Sequence, residues 1–157
     1  MVLPNEIGEL KNLSELNLCQ CRTGPLPDSF WKLKKLKYLN LEACLIEEIS
    51  PEIKNITELR FLDLQINKIE KLPNEICRLQ NLEVLFLHGN FLTSVPKEIG
   101  SLTNLKKLDL SYNKLTTLPK ETASLIHLKE LYLTGNDFSE DEKQKIKKML
   151  PNCKIYF

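Results

Sequence analysis

The sequence is poor in the residues that build catalytic, phosphate-binding and metal sites. It has five glycines and two histidines in 157 residues, and the glycines are scattered, so no glycine-rich phosphate loop is present. No serine–histidine–aspartate or cysteine–histidine set can be placed by spacing, and neither histidine has partners at metal-ligand spacing. These absences predict a protein that is not an enzyme and that holds no metal and no cofactor.

The sequence also lacks an excess of charge and a long apolar run. It has 22 Lys and Arg residues against 21 Asp and Glu residues. This balance argues against a nucleic-acid partner and against an anionic membrane surface. No apolar run approaches the roughly 20 residues of a membrane-spanning helix, and residues 1–12 lack the features of a secretory signal. The compartment is left open between cytoplasmic and, if an upstream signal has been removed, secreted or surface-exposed.

What the sequence does have is leucine at a fixed interval. Leucine fills 31 of the 157 positions, and a step of 23 residues connects six of them without insertion or deletion. Counting each of these as offset 1 of a unit, leucine also recurs at offsets 4 and 6. The offset-1 residues are Leu13, Leu36, Leu59, Leu82, Leu105 and Leu128. Equal spacing over six units predicts an array of stacked structural repeats.

The second half of each unit is regular as well. An apolar residue precedes proline, as in Leu72-Pro73, and another apolar anchor follows three residues after that proline. Two units depart from this pattern, since Ser50-Pro51 shifts the proline by one place and Thr122 replaces the expected isoleucine. A proline in each return segment predicts extended or 3-10 turns rather than long helices.

The pattern L-x-x-L-x-L-x-x-N/C-x-L resembles the leucine-rich-repeat family. The 23-residue period with L-P-x-x-I-x-x-L is similar to its short bacterial and intracellular signalling members, and the resemblance covers essentially the whole chain. It implies an α/β leucine-rich-repeat solenoid, curved like a horseshoe arc. A parallel β-sheet would form the concave face and short 3-10 or irregular returns the convex face, closed by a C-terminal capping helix.

Three segments are expected along the chain. Residues 1–12 are the tail of an earlier unit, residues 13–138 hold five full units and a sixth strand unit, and residues 139–157 form the cap and an extended tail. Ser139 is a good helix N-cap, and Glu142 three residues later predicts a capping box. The predicted helix carries one apolar stripe that would close the leucine core, formed by Ile146, Met149 and Leu150.

Offset 9 carries cysteine or asparagine in every unit. The chain turns out of its strand there, so a buried side chain that donates and accepts can tie neighbouring units into a structural ladder. The predicted ladder residues are Cys21, Cys44, Asn67, Asn90, Asn113 and Asn136. The five cysteines match no disulfide framework or metal pattern. We therefore expect Cys21 and Cys44 to be free buried thiols, with a bridge between stacked units as the alternative.

Alternation along each short strand sends offsets 4 and 6 into the core and offsets 3, 5 and 7 outward, with offset 8 beside them. This predicts an apolar patch on units two to four with polar residues around it, which is the composition of a protein-binding surface. The alternative is that the rings only pack on one another as cross-strand pairs. The predicted partner-binding residues are Tyr38, Glu42, Phe61, Asp63, Gln65, Val84, Phe86, His88, Asp109, Tyr112 and Tyr132.

These features predict a monomeric protein-binding module that recognises a partner protein, such as a host or signalling protein, through its concave sheet. Contact with host proteins is implied by the resemblance to bacterial members and by no residue of the chain. His88 is interpreted as a surface polar residue rather than an acid–base or metal group. A second hypothesis is a self-associating scaffold that pairs through the uncapped strand edge around Leu16. Residues missing before Met1 are the favoured explanation of that edge, since the first unit is cut in its middle.

Overall fold

Seven short parallel strands form one open sheet in the computed structural model, which describes residues 2–157. Each strand is three residues long, and the strands are ordered in the sheet as they are in the chain. They are β1 (Glu15–Asn17), β2 (Tyr38–Asn40), β3 (Phe61–Asp63), β4 (Val84–Phe86), β5 (Lys107–Asp109), β6 (Glu130–Tyr132) and β7 (Lys154–Tyr156).

The strands pair in a register that repeats the sequence period. Tyr38 lies opposite Phe61, and Phe61 lies opposite Val84, so residues 23 apart in the chain are lateral neighbours. The last step is one residue longer, because Leu131 lies opposite Ile155. Each offset of the repeat therefore forms a continuous row across the sheet.

The core lies behind the sheet and is built from the repeated leucines. From β2 onward the offset-4 and offset-6 leucines are fully or almost fully buried, as predicted from the alternation along each strand. In the first unit Leu13 and Leu16 are only half-buried, since the end of the array leaves them uncovered on one side. One unit cannot bury its own leucines, and the next unit completes each layer.

Each return contains a 3-10 helix of five residues. The six helices are Asn5–Glu9, Asp28–Lys32, Pro51–Asn55, Asn74–Arg78, Lys97–Ser101 and Lys120–Ser124. Five of them follow directly after a proline. In the remaining one Ser50 takes that place and Pro51 is the first helical residue, while the Ser50 hydroxyl accepts from the N–H of Glu52 at 3.2 Å. The shifted proline thus changes the cap and leaves the helix at its expected position. Thr122, the other departure, is buried without a hydrogen-bond partner for its hydroxyl.

The helix α1 (Glu140–Met149) covers the C-terminal end of the core. Ser139 caps it by accepting from the N–H of Glu142 at 3.2 Å. The reciprocal half of the predicted capping box was wrong. The Glu142 side chain is buried and accepts from the N–H of Leu118 at 3.4 Å, while its other oxygen pairs with Lys145. The Glu142 carboxylate thus turns away from the helix start and satisfies the buried N–H of Leu118 in the last return.

The tail after α1 joins the sheet. Its residues were expected to be extended, and the structure pairs them with β6 as the strand β7. Leu133 donates its N–H to the Tyr156 carbonyl at 2.7 Å, and Lys154 donates to the Lys129 carbonyl at 2.9 Å. Within residues 2–157 no helix has the length and apolar character needed to cross a membrane.

Candidate functional site

The face of the sheet opposite the leucine core, here called the open face, carries offsets 3, 5 and 7 of each unit. Tyr38 and Phe61 stack on it, with ring centroids 4.4 Å apart and planes 7° from parallel. Phe86 meets Phe61 edge-to-face at 5.6 Å, and Val84 lies opposite Phe61 in the register. All four side chains are partly exposed. This aromatic patch therefore combines cross-strand ring pairs with apolar surface that remains available for contact.

A second cluster continues the patch toward β7. The ammonium of Lys107 lies 5.6 Å from the Phe86 ring centre and 5.0 Å from that of Tyr132. It pairs with the Glu130 carboxylate at 2.9 Å, which also accepts from the Tyr132 hydroxyl at 2.9 Å. Tyr132 in turn stacks on Tyr156 at 4.6 Å. A cation held between two rings and beside a carboxylate is thus already built into the open face.

Sequence reasoning included Tyr132 among the binding residues and left out the three that surround it. Lys107 and Glu130 lie in the offset-3 row, so the repeat register was a signal that could have found them. Tyr156 lies beyond the last full period, and only the pairing of β7 with β6 brings it to the open face.

The ionisable groups of this cluster stabilise one another's charge. Hydrogen bonds from Lys107 and Tyr132 hold the pKa of Glu130 below its ordinary value. The same contact with Glu130 raises the pKa of Lys107. Glu130 accepts a hydrogen bond from the Tyr132 hydroxyl, and this contact raises the pKa of that phenol. The cluster is therefore charged and paired at neutral pH.

Asp63 differs from its expected place in an exposed polar border. Its side chain is only 5% exposed, because the Gln65 amide covers it and donates to both carboxylate oxygens at 3.1 and 3.0 Å. Burial raises the pKa of Asp63, hydrogen bonds from Gln65 lower it, and the negative charges of Glu42 and Asp109 raise it further. Glu42 and Asp109, which come from the second and fifth units, thus lie near enough for their charges to act on Asp63.

His88 is held by a chain of hydrogen bonds. Its Nδ1 lies 2.8 Å from the Ser111 hydroxyl, which donates in turn to the Asp109 carboxylate. Because that hydroxyl has a single proton, its oxygen must accept from Nδ1–H of His88. The imidazole also meets the Tyr112 ring edge-to-face at 5.1 Å. This arrangement fixes the ring and brings no nucleophile to it. Within residues 2–157 no group of three or more His, Cys, Asp or Glu side chains is placed to hold a metal ion.

A row of exposed residues follows the strand ends at offset 8, here called the rim. Ile66 and Tyr112 are 53% and 58% exposed. Both have a left-handed backbone, with φ of 53° and 52°, whereas glycine occupies the same place as Gly89 and Gly135. Isoleucine is rare in this conformation. Sequence reasoning placed Tyr112 in the site and missed Ile66, although a β-branched residue at a position that holds glycine in other units was a usable signal.

Comparison with known families decides what kind of protein this is. Residues 39–152 match the family model described as a leucine-rich repeat region, and residues 12–33 match the model of a single leucine-rich repeat. The chain belongs to the leucine-rich-repeat family. Both the family resemblance and the solenoid fold predicted from the sequence are confirmed.

Solved structures of other leucine-rich-repeat proteins resemble this chain. A leucine-rich-repeat protein of Leptospira interrogans is 45% identical with a TM-score of 0.95, over 99% of this chain and 40% of that one. A second similar structure is the ectodomain of the plant membrane receptor kinase GASSHO1/SCHENGEN3 from Arabidopsis thaliana, in complex with CASPARIAN STRIP INTEGRITY FACTOR 2. It is 34% identical with a TM-score of 0.80, and the match covers 87% of this chain and 17% of that one.

An internalin of Listeria monocytogenes shares the fold at 22% identity, with a TM-score of 0.83 over 100% of this chain and 44% of that one. The chain therefore spans less than half the length of each of these three proteins. Among curated proteins no sequence matches it.

The asparagines of the leucine-rich repeats form a ladder between units. The Asn67 amide donates to the carbonyls of Leu41 and Leu64 at 2.8 and 3.0 Å, and its oxygen accepts from the N–H groups of Cys44 and Ile46. Equivalent amide donor pairs and an acceptor bond to the preceding unit are made by Asn90, Asn113 and Asn136. The ladder supports the sheet from behind and leaves the open face free.

The cysteines at offset 9 differ from each other. Cys44 is buried and donates its thiol proton to the Leu18 carbonyl at 3.0 Å, as Asn67 does to Leu41 in the next unit. Burial raises the pKa of Cys44. Cys21 was expected to be buried and is only half-buried, because no described residue stacks on its outer side. Both are free thiols in the structure.

Proposed function

We propose that this leucine-rich-repeat protein binds a partner protein through the open face of its sheet and catalyses no reaction. The aromatic patch carries the proposal. Tyr38, Phe61 and Phe86 point away from the core, so the leucine core does not require large rings at these places. Partly exposed aromatic residues surrounded by polar groups are the usual centre of a protein interface.

The shape and rigidity of the open face support this function. Ring pairs between strands hold each side chain in one orientation, so a partner would lose little free energy to ordering them. The cluster around Lys107 continues the patch to β7, and Ile66 and Tyr112 extend it along the rim. A related plant receptor ectodomain was solved in complex with CASPARIAN STRIP INTEGRITY FACTOR 2. We infer that the partner contacts several strands at once and that the protein acts as a monomer.

The experiment compares two variants in binding to peptides of about 12 residues, a length that exceeds the width of the sheet. Peptides are selected from a random display library on the whole chain. The double variant Phe61→Arg with Phe86→Arg is expected to lose at least about 30-fold in affinity, as for two interface hot-spot residues. The matched control is Ile126→Arg, at a 75% exposed apolar residue outside the open face. It should bind as the original chain does.

Circular dichroism and the denaturation midpoint confirm that both variants fold. Peptides that bind the double variant as tightly as the original chain would contradict the proposal.

Self-association is the second candidate function. The strand β1 ends the sheet among the described residues, and its side chains Glu15 and Asn17 are exposed. An unpaired strand edge can add a strand from another molecule. Light scattering at several concentrations tests this candidate, and a strictly monomeric mass at all of them would eliminate it.

A further inference from the structure

The open face of the first four units carries acidic residues and neither lysine nor arginine, and its one histidine, His88, is hydrogen-bonded to Ser111. Offsets 3, 5 and 7 in these units contain Glu15, Glu42 and Asp63, and neither lysine nor arginine occurs there. The first lysine of the open face is Lys107 in the fifth unit, and it is paired with Glu130. A partner that covers β1 to β4 therefore meets negative charge alone.

Glu42 and Asp63 have neutral hydrogen-bond partners, and so does Asp109 in the next unit but one after Asp63. Glu42 accepts from the Cys19 thiol at 3.3 Å, Asp63 accepts from Gln65, and Asp109 in the fifth unit accepts from the Ser111 N–H at 2.9 Å. The ion pairs of residues 2–157 involve other carboxylates. The negative charge of this part of the open face is oriented by hydrogen bonds and is not cancelled.

Basic residues beside the sheet do not compensate this charge. At the strand starts Lys37 pairs with Glu58 at 3.8 Å, and Arg60 pairs with Glu83 at 3.1 Å. Lys37 and Arg60 are thus paired with Glu58 and Glu83 at the border of the sheet and not with the acids of the open face. The negative charges of Glu42 and Asp109 both raise the pKa of Asp63, so these carboxylates lie near enough on the open face to act on it.

The protein itself provides an example of how such a face holds a cation. Lys107 lies over Phe86 and Tyr132 and contacts the carboxylate of Glu130. Units two and three carry rings and a carboxylate on the same face: Tyr38 and Phe61 stack at offset 3, and Glu42 lies at offset 7, four residues after Tyr38. Arginine suits such a place best, since its planar guanidinium stacks on rings and pairs with carboxylates through two hydrogen bonds.

We propose that the open face of units one to four binds a cationic segment of the partner protein, in which arginine or lysine stands beside apolar side chains. The apolar side chains of the segment cover the aromatic patch, and its cation pairs with Glu42. This inference rests on the proposed function and adds the chemical class of the partner segment.

The same peptide selection tests the inference. Peptides recovered on the whole chain are expected to carry net positive charge, with arginine or lysine next to aromatic or aliphatic residues. Their affinity should fall about tenfold on Glu42→Gln, as for a hydrogen bond to a charged group. The matched control is Glu48→Gln, at an exposed acid on a return segment, which should change affinity less than about twofold.

Salt provides a measurement that needs no variant. Raising the ionic strength from about 0.05 M to about 0.3 M should lower the affinity of the recovered peptides several-fold, since salt screens partly exposed charge pairs. Peptides that require Phe61 and Phe86 but show no basic excess, no loss on Glu42→Gln and no salt dependence would overturn the inference and leave the proposed function standing. Peptides indifferent to the Phe61→Arg and Phe86→Arg changes would overturn both.

Discussion

Ile66 and Gly89 occupy the same place in adjacent repeats and share a left-handed backbone, with φ of 53° and 64°. A side chain with a branched Cβ pays for this conformation by about 1–2 kcal/mol, whereas glycine adopts it freely. Ile66 is also more than half exposed, so burial does not offset this strain. Its place at the rim, beside the open face, is consistent with a role in contact rather than in folding.

Replacing Ile66 by glycine is therefore expected to raise the free energy of unfolding by up to about 1 kcal/mol. The relief of about 1–2 kcal/mol of backbone strain exceeds the cost of about 0.5–1 kcal/mol that glycine adds through chain entropy. Urea denaturation measures the change. The opposite exchange, Gly89→Ala, should lower the free energy by about 1 kcal/mol although the added Cβ has room, with its nearest neighbour at 3.7 Å. A less stable Ile66→Gly chain would contradict the strain argument.

The buried leucines of the central strands should be the most sensitive positions for stability. Leu85 is 0% exposed at offset 4, and Leu85→Ala is expected to cost about 2–5 kcal/mol because a cavity remains between packed units. Leu16 occupies the same offset in the first unit and is half-buried. Its replacement by alanine should cost clearly less. Equal shifts of the two denaturation midpoints would show that the terminal unit is covered.

The asparagine ladder offers a comparison between a central and a terminal member. In Asn90→Ala the buried Ile69 N–H loses its side-chain acceptor, while the Leu64 and Leu87 carbonyls each lose one of two amide donors and keep the other, from Asn67 and Asn113. An unsatisfied buried group costs about 1–3 kcal/mol. Asn136 makes bonds of the same kind and is half-buried, so water can replace some of them. Calorimetric unfolding should show the larger loss for Asn90→Ala, and the reverse order would refute the assigned roles.

The pair formed by Lys107 and Glu130 predicts a measurable titration. Hydrogen bonds from Lys107 and then Tyr132 keep the pKa of Glu130 below 4.5, its ordinary value. A carboxylate whose pKa is lower in the folded state stabilises the fold when the pH is above its unfolded-state pKa. This stabilisation is lost as the pH falls through its folded-state pKa. In carboxyl-detected NMR titrations, Lys107→Ala should move the pKa of Glu130 up toward 4.5, and Tyr132→Phe should move it less. An unchanged titration in Lys107→Ala would exclude the contact in solution.

Much of the residue arrangement on the open face could be predicted from the sequence. Because parallel strands pair at a constant step of 23 residues, Tyr38, Phe61 and Val84 had to be lateral neighbours. Period-two alternation then separated these side chains from the leucines of the core. The chemistry of individual places was less predictable. Asp63 was expected to be exposed, yet Gln65 covers it, and this depends on a side-chain orientation that no period specifies.

The repeat length and the leucine positions by themselves determined the solenoid, its register and which rows face solvent, since equal chain increments place equivalent residues side by side. Only the tertiary structure decided how the rings stack, that Glu142 turns to Leu118 instead of closing its own cap, and that Tyr156 joins the sheet one residue out of period. These outcomes depend on side-chain rotamers and on the backbone groups left unpaired at the end of the array. A repeating pattern contains no information about its own end.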